Sequence, residues 1–113
     1  MGFLSNLFGP SAPMITAEEI NEKLKFGKRP LILDVRQPDE FRTGHINGAK
    51  LIPLNELHRR IDELPKGREI ICICATGNRS TSASKILMKE GFTVFNAQGG
   101  MFAWRRAKLP IQK

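Results

Sequence analysis

Hydrophobic positions along this chain alternate between short continuous runs and stretches with helical spacing. Leu31-Ile32-Leu33 with Val35, and Glu69-Ile70-Ile71-Cys72-Ile73-Cys74, are β-prone runs without in-out alternation, the mark of strands covered on both faces. Ala49 to Pro53 and Thr93-Val94-Phe95 read as two further strands. Between them the spacing predicts helices. Thr16-Ala17-Glu18-Glu19 is a capping box, followed by Ile20 and Leu24 on one face and a stop at Gly27. Pro38 to Thr43 reads as a short helix opened by proline and closed by Gly44.

Leu54, Leu57, Ile61 and Leu64 recur at helical spacing until Pro65-Lys66-Gly67. Ala83, Ile86 and Leu87 give an apolar face to a helix from about Ser80 to Glu90, with Gly91 as its stop, and Gly99-Gly100 opens a last helix through Met101, Phe102 and Trp104. Strands alternating with helices through short loops predict an α/β fold: a parallel sheet with helices on both faces and right-handed crossovers. In such folds sites lie at the carboxyl ends of strands, where Cys74 falls.

The chain's 113 residues leave room for one core, which sets a division into a tail and linker over residues 1–13 and one domain over residues 14–113. In the tail, Phe3, Leu4, Leu7 and Phe8 share a helical face before Gly9-Pro10-Ser11-Ala12-Pro13. A loosely packed terminus is the favoured reading, with a weak peripheral membrane or partner contact by residues 3–8 as the alternative. No apolar run reaches the roughly 20 residues of a membrane span, and no charged n-region precedes the short apolar start, so a cytoplasmic location is expected.

Charge adds a bias toward anionic partners: eighteen Lys and Arg against eleven Asp and Glu give +7. The basic residues are scattered and no nucleic-acid-binding signature accompanies them, so nucleic acid is not expected as a partner. With two cysteines and two histidines, neither a disulfide scaffold nor a metal site is expected.

Cys74 ends a buried strand and precedes a helix, beside that helix's unpaired N–H groups and positive dipole end. In the polar run Ala75, Thr76, Gly77, Asn78, Arg79 and Ser80, the glycine permits a backbone twist that turns amides inward, and Arg79 adds a cation. These features favour a thiolate at Cys74 and make it the candidate nucleophile. Cys72, deep in the strand, reads as structural. Its side chain shares a face with Cys74 but stands about 7 Å along the strand, so the two are expected to act independently. Asp34 and Arg36 are expected to fix loops by hydrogen bonds and an ion pair with Glu40, His45 to be structural, His58 to lie on a helix surface, and Gly99-Gly100 to make a tight turn.

The run Cys74-Ala75-Thr76-Gly77-Asn78-Arg79-Ser80 resembles the active-site loop of the rhodanese family. Asp34-Val35-Arg36, Glu40-Phe41, Gly44-His45-Ile46-Asn47-Gly48-Ala49 and Gly99-Gly100 with Trp104 resemble further family positions in the same order, so the resemblance spans about residues 14 to 109. It implies a three-layer fold with a central five-stranded parallel sheet flanked by helices. It also implies sulfur transfer without metal or organic cofactor: Cys74 takes the sulfane sulfur of a small anionic donor such as thiosulfate, holds it as a persulfide cradled by the loop, and passes it to a thiol or cyanide, or to a sulfur-acceptor protein. Several members carry arginine directly after the cysteine. Here Ala75 stands there, which brings a persulfide donor or a protein partner into contention.

Two rivals come from other classes. A cysteine phosphatase would place its arginine six positions after the nucleophile to seat a tetrahedral oxyanion, whereas Arg79 follows Cys74 by five. A non-catalytic partner-binding or sulfur-delivery module is opposed by the intact cysteine in a complete loop.

Overall fold

The computed structural model describes residues 11–27 and 29–113. The apolar face of Phe3, Leu4, Leu7 and Phe8 lies outside the described residues. In chain order the elements are β1 (Met14–Ile15), α1 (Ala17–Lys25), β2 (Leu31–Asp34), α2 (Pro38–Arg42), β3 (Lys50–Leu51), two 3₁₀ segments (Leu54–Glu56 and His58–Glu63), β4 (Ile70–Ile73), α3 (Asn78–Lys89), β5 (Val94–Ala97) and α4 (Gly100–Arg106).

All five strands are parallel, in the order β1-β5-β4-β2-β3. The α/β reading holds, as does the expectation of a five-stranded sheet. β2 and β4 are buried at every position, as their continuous apolar runs require at the centre of a sheet covered twice. Alternate residues feed two cores. Leu31, Leu33, Val35, Ile70 and Cys72 pack with Leu57, Leu64, Ala83 and Leu87 on one face. Ile32, Ile71 and Ile73 pack with Ala17, Ile20, Met101 and Trp104 on the other. The sheet is therefore the middle of three layers, with α3 and the 3₁₀ segments on one side and α1 and α4 on the other.

The fifth strand, β1, has no run long enough to display a period. Its place is fixed by backbone bonds from Asn96 N to Pro13 O (2.9 Å) and from Gln98 N to Ile15 O (2.8 Å), and Ala12 just before it is buried in the core. The strand expected over Ala49 to Pro53 shortens to Lys50–Leu51, although Ile52 N and Leu54 N continue the bonding to Asp34 O and Val35 O. The helix expected through Leu54, Leu57, Ile61 and Leu64 is instead two 3₁₀ segments. Leu54 with Leu57, and Ile61 with Leu64, lie three apart, and a turn of three residues stacks each pair over the core.

The capping box forms as expected: Glu19 N donates to Thr16 Oγ1 (3.1 Å) and Thr16 N to Glu19 Oε1 (2.9 Å). At the far end, buried Trp104 satisfies its indole by donating to Pro110 O at 2.8 Å.

Asp34, at the end of β2, is fully buried and grips Arg36 with both oxygens, Nε to Oδ1 at 2.9 Å and Nη2 to Oδ2 at 2.7 Å. Arg36 does not reach the Glu40 carboxylate, so the expected ion pair between them is not formed. It donates instead to main-chain carbonyls, of Glu40 at 3.2 Å and Gly44 at 2.9 Å. One buried pair thus ties the end of a central strand to the turn after α2. Removing one partner leaves the other charge uncompensated: Asp34→Ala is expected to lower the unfolding free energy by about 3–5 kcal/mol, read from urea denaturation.

Candidate functional site

Cys74 follows the last residue of β4 and is 1% exposed. Three residues later Gly77 takes a left-handed conformation (φ 113°) that turns the chain into α3. Gly77 has no side chain to cap that helix, and the cysteine takes over the task. Ser80 N donates to Cys74 Sγ at 3.3 Å and Gly77 N at 3.1 Å, so orphan donors of the first turn converge on sulfur. The Ser80 hydroxyl lies 3.4 Å from Sγ and donates to Gly77 O at 3.1 Å.

These contacts decide the thiol's acidity. Burial pushes it up, but the Ser80 hydroxyl and the N–H groups of Ser80, Gly77 and Thr76 outweigh burial and hold Cys74 below the ordinary thiol value. Cys72, two residues back on the same face, has only the Ser84 hydroxyl to oppose burial and is pushed up to about 12. Both cysteines are free thiols. The contrast expected between the two is present, with a different balance of causes.

Arg79 is where the expectation changes most. Its guanidinium is bidentate to Glu40, with Nη1 to Oε1 at 2.7 Å and Nη2 to Oε2 at 2.8 Å. Glu40 in turn accepts from Gln37 N at 3.0 Å. The Arg79 bond pulls Glu40 down to about 2, so the pair is intact above the ordinary carboxylate range and dissolves only as pH falls through about 2. Arg79 therefore acts chiefly as a strut between α3 and α2, its charge shared with a carboxylate.

The loop's carbonyls face a second helix. Met101 N donates to Cys74 O at 2.8 Å and Phe102 N to Ala75 O at 3.0 Å. Gly100 (φ 56°) makes that approach feasible, because a Cβ there would stand 2.7 Å from the Ala75 carbonyl carbon and oxygen. Gly99-Gly100 is thus the seat of the loop as well as a turn. A further tether runs from Asn96 Nδ2 to Thr81 Oγ1 (2.9 Å) and from Thr81 Oγ1 to Gly77 O (2.7 Å). Reading the sequence missed this pair, and the signal was Asn96, a polar residue in a buried strand.

Ala75 and Thr76 form one wall of an open groove of about 560 Å³, with Arg36, Asp39, Glu40, Thr43, Met101, Phe102 and Arg105 around it. Asn78 is exposed at the start of α3, and His58 is exposed as expected. His45 stacks on Phe41 at 3.7 Å and its Nδ1 lies 2.9 Å from Phe41 O, a structural setting. Among the described residues no cluster of His, Cys, Asp and Glu could hold a metal ion, and no helix is long and apolar enough to cross a membrane.

Residues 16–107 match the model of the rhodanese-like domain. The chain belongs to that family. A sulfurtransferase of Allochromatium vinosum is 36% identical over 98 residues, covering 86% of this chain and 92% of its own length. The crystal structure of a rhodanese-related protein from Thermoplasma volcanium superposes with a TM-score of 0.83 at 31% identity, over 88% of this chain and 97% of that one. A thiosulfate sulfurtransferase of Pseudomonas aeruginosa gives 0.81 at 30% identity, over 89% of this rhodanese-like chain but only 20% of that protein.

Two measurements follow from the geometry. Iodoacetamide should modify Cys74 with a pH midpoint below that of a free thiol, while Cys72 stays unmodified until pH approaches about 12, resolved by peptide mapping. Gly100→Ala should cost about 1–3 kcal/mol of stability from strain at a positive φ. It should also raise the Cys74 midpoint by pushing the loop off its seat.

Proposed function

We propose that this chain is a sulfurtransferase that carries sulfane sulfur on Cys74. The observation that supports this best is the convergence of the Gly77 and Ser80 N–H groups on Cys74 Sγ, which favours an anionic sulfur there. The sulfur-transfer names of relatives agree with it.

In the first half-reaction the Cys74 thiolate attacks the outer sulfur of a donor such as thiosulfate. The new Sγ–S bond forms as the donor's S–S bond breaks, and the electron pair leaves on sulfite. Cys74 is left as a persulfide anion. In the second, a thiolate or cyanide attacks the terminal sulfur, takes it as a persulfide or thiocyanate, and returns the electron pair to Sγ. No net oxidant or proton is required. The loop amides stabilise negative charge on sulfur in both resting states, which is their electrostatic contribution.

Burial of Cys74 favours small donors and acceptors that present an extended thiol. Free thiols at Cys72 and Cys74 suit a reducing compartment, and we place the chain in the cytoplasm as one domain over residues 14–113.

After brief exposure to thiosulfate, mass spectrometry should find one added sulfur, mapped to Cys74 and absent from Cys74→Ser. Cyanide should remove it as thiocyanate. Cys74→Ser should fold as the parent does and lose sulfur transfer, whereas Cys72→Ala should keep most of it. Turnover in Cys74→Ser at the parent rate would sink the mechanism, and aryl phosphate hydrolysis outpacing sulfur transfer would reverse the choice between the two enzymes.

A further inference from the structure

Two arginines, Arg36 and Arg105, line the groove beside the loop, and a third, Arg79, is paired with the groove residue Glu40. Arg36 is neutralised by buried Asp34, and Arg79, at the groove's edge through Glu40, is neutralised by that carboxylate. Arg105, on the exposed face of α4, has no carboxylate within ion-pair distance among the described residues.

Its guanidinium is nonetheless held in place. Nη2 donates to Thr43 O at 3.1 Å, and the group lies over Gly44, where a Cβ would come within 2.5 Å of Nη2 and 2.9 Å of Ile111 Cδ1. Gly44 (φ 145°) is thus a platform that a side chain would obstruct. One bond to a neutral carbonyl leaves most of the five guanidinium donors free, and the groove is where they can be used. The loop itself offers no cation on this wall, since Ala75 and Thr76 stand there.

We infer that Arg105 is the anion-binding residue of this groove, holding the oxyanion end of a small sulfur donor while Cys74 Sγ attacks the donor's sulfane sulfur. The inference rests on the sulfur-transfer reading for its substrate class, and on the groove alone for the charge. Bidentate donation from a guanidinium suits a planar or tetrahedral oxyanion. In thiosulfate the oxygens and the attacked sulfur sit at opposite ends, and Arg105 shares its groove with Ala75 and Thr76, the two residues that directly follow Cys74. When the S–S bond breaks, the electron pair moves onto sulfite, and the nearby cation stabilises that leaving group. Asp39 is the opposing charge: it lines the same groove and has no cation within ion-pair distance among the described residues. The balance between Arg105 and Asp39 therefore sets the preference for anions.

The test compares Arg105→Gln, Arg105→Lys and Asp39→Asn with the parent chain in two assays. The first is thiosulfate-dependent persulfide formation. The second is alkylation of Cys74 by anionic iodoacetate relative to neutral iodoacetamide, which needs no sulfur donor and cancels changes in thiolate reactivity. Arg105→Gln should raise KM for thiosulfate about tenfold, the effect of one charge-assisted hydrogen bond, and lower the iodoacetate to iodoacetamide ratio. Arg105→Lys should recover part of both, and Asp39→Asn should move both the other way. A parent-like KM and alkylation ratio in Arg105→Gln would overturn the inference. If the parent chain took sulfur from no donor while the alkylation ratio still fell in Arg105→Gln, the sulfur-transfer reading would fail and the anion site would stand.

Discussion

The constraint on which this site depends is that α3 begins without a side-chain cap. Gly77 can supply the left-handed turn but no acceptor, so the first N–H groups of the helix would be left unpaired beneath the protein surface. Cys74 Sγ meets that need. A helix end that lacks an acceptor and a sulfur that gains from becoming an anion stabilise one another. The same contacts that complete the helix lower the thiol's pKa against the pull of burial.

A second helix reinforces the arrangement from the other side. The donors of α4 take the carbonyls of Cys74 and Ala75, so the loop is gripped at both its donors and its acceptors. Two helix N-termini pointing at one loop leave its peptide groups little freedom to rotate, and Gly100 allows the second helix close enough to matter. The struts farther out serve the same end. Arg79 with Glu40 joins α3 to α2, Arg36 with Asp34 joins the end of β2 to the turn after α2, and Asn96 through Thr81 holds Gly77 O. The charged residues near Cys74 are in this sense mostly scaffolding, and the sulfur's environment is made of dipoles.

Much of this was legible along the chain. The continuous, β-prone apolar runs of β2 and β4 bear the mark of strands covered on both faces, and a cysteine at the end of one, followed by a polar glycine-containing turn and a helical period, is placed by that reading at a strand's carboxyl end facing a helix N-terminus. The contrast between Cys72 and Cys74 also follows from position alone. The capping box of α1 was likewise readable, because its two bonds join residues three apart.

What the chain could not reveal are relations whose partners are far apart in sequence and whose local signal is weak. β1 is two residues long and exists because the Pro13 and Ile15 carbonyls meet the amides of Asn96 in β5 and of Gln98 just after it. The segment 54–64 forms two 3₁₀ turns because packing over the core favours stacking at spacing three. Arg79 reads as a cation for the sulfur until the fold brings Glu40 to it from 39 residues away. Gly100 reads as a turn until α4 is laid against the loop. Local hydrogen bonds and apolar period are properties of neighbouring residues, so sequence alone determined the central strands and the α-helices and singled out Cys74 as the candidate nucleophile; charge pairing and close backbone approach are properties of distance in space, so only the tertiary structure decided which arginine is neutralised, which remains available, and what holds the loop still.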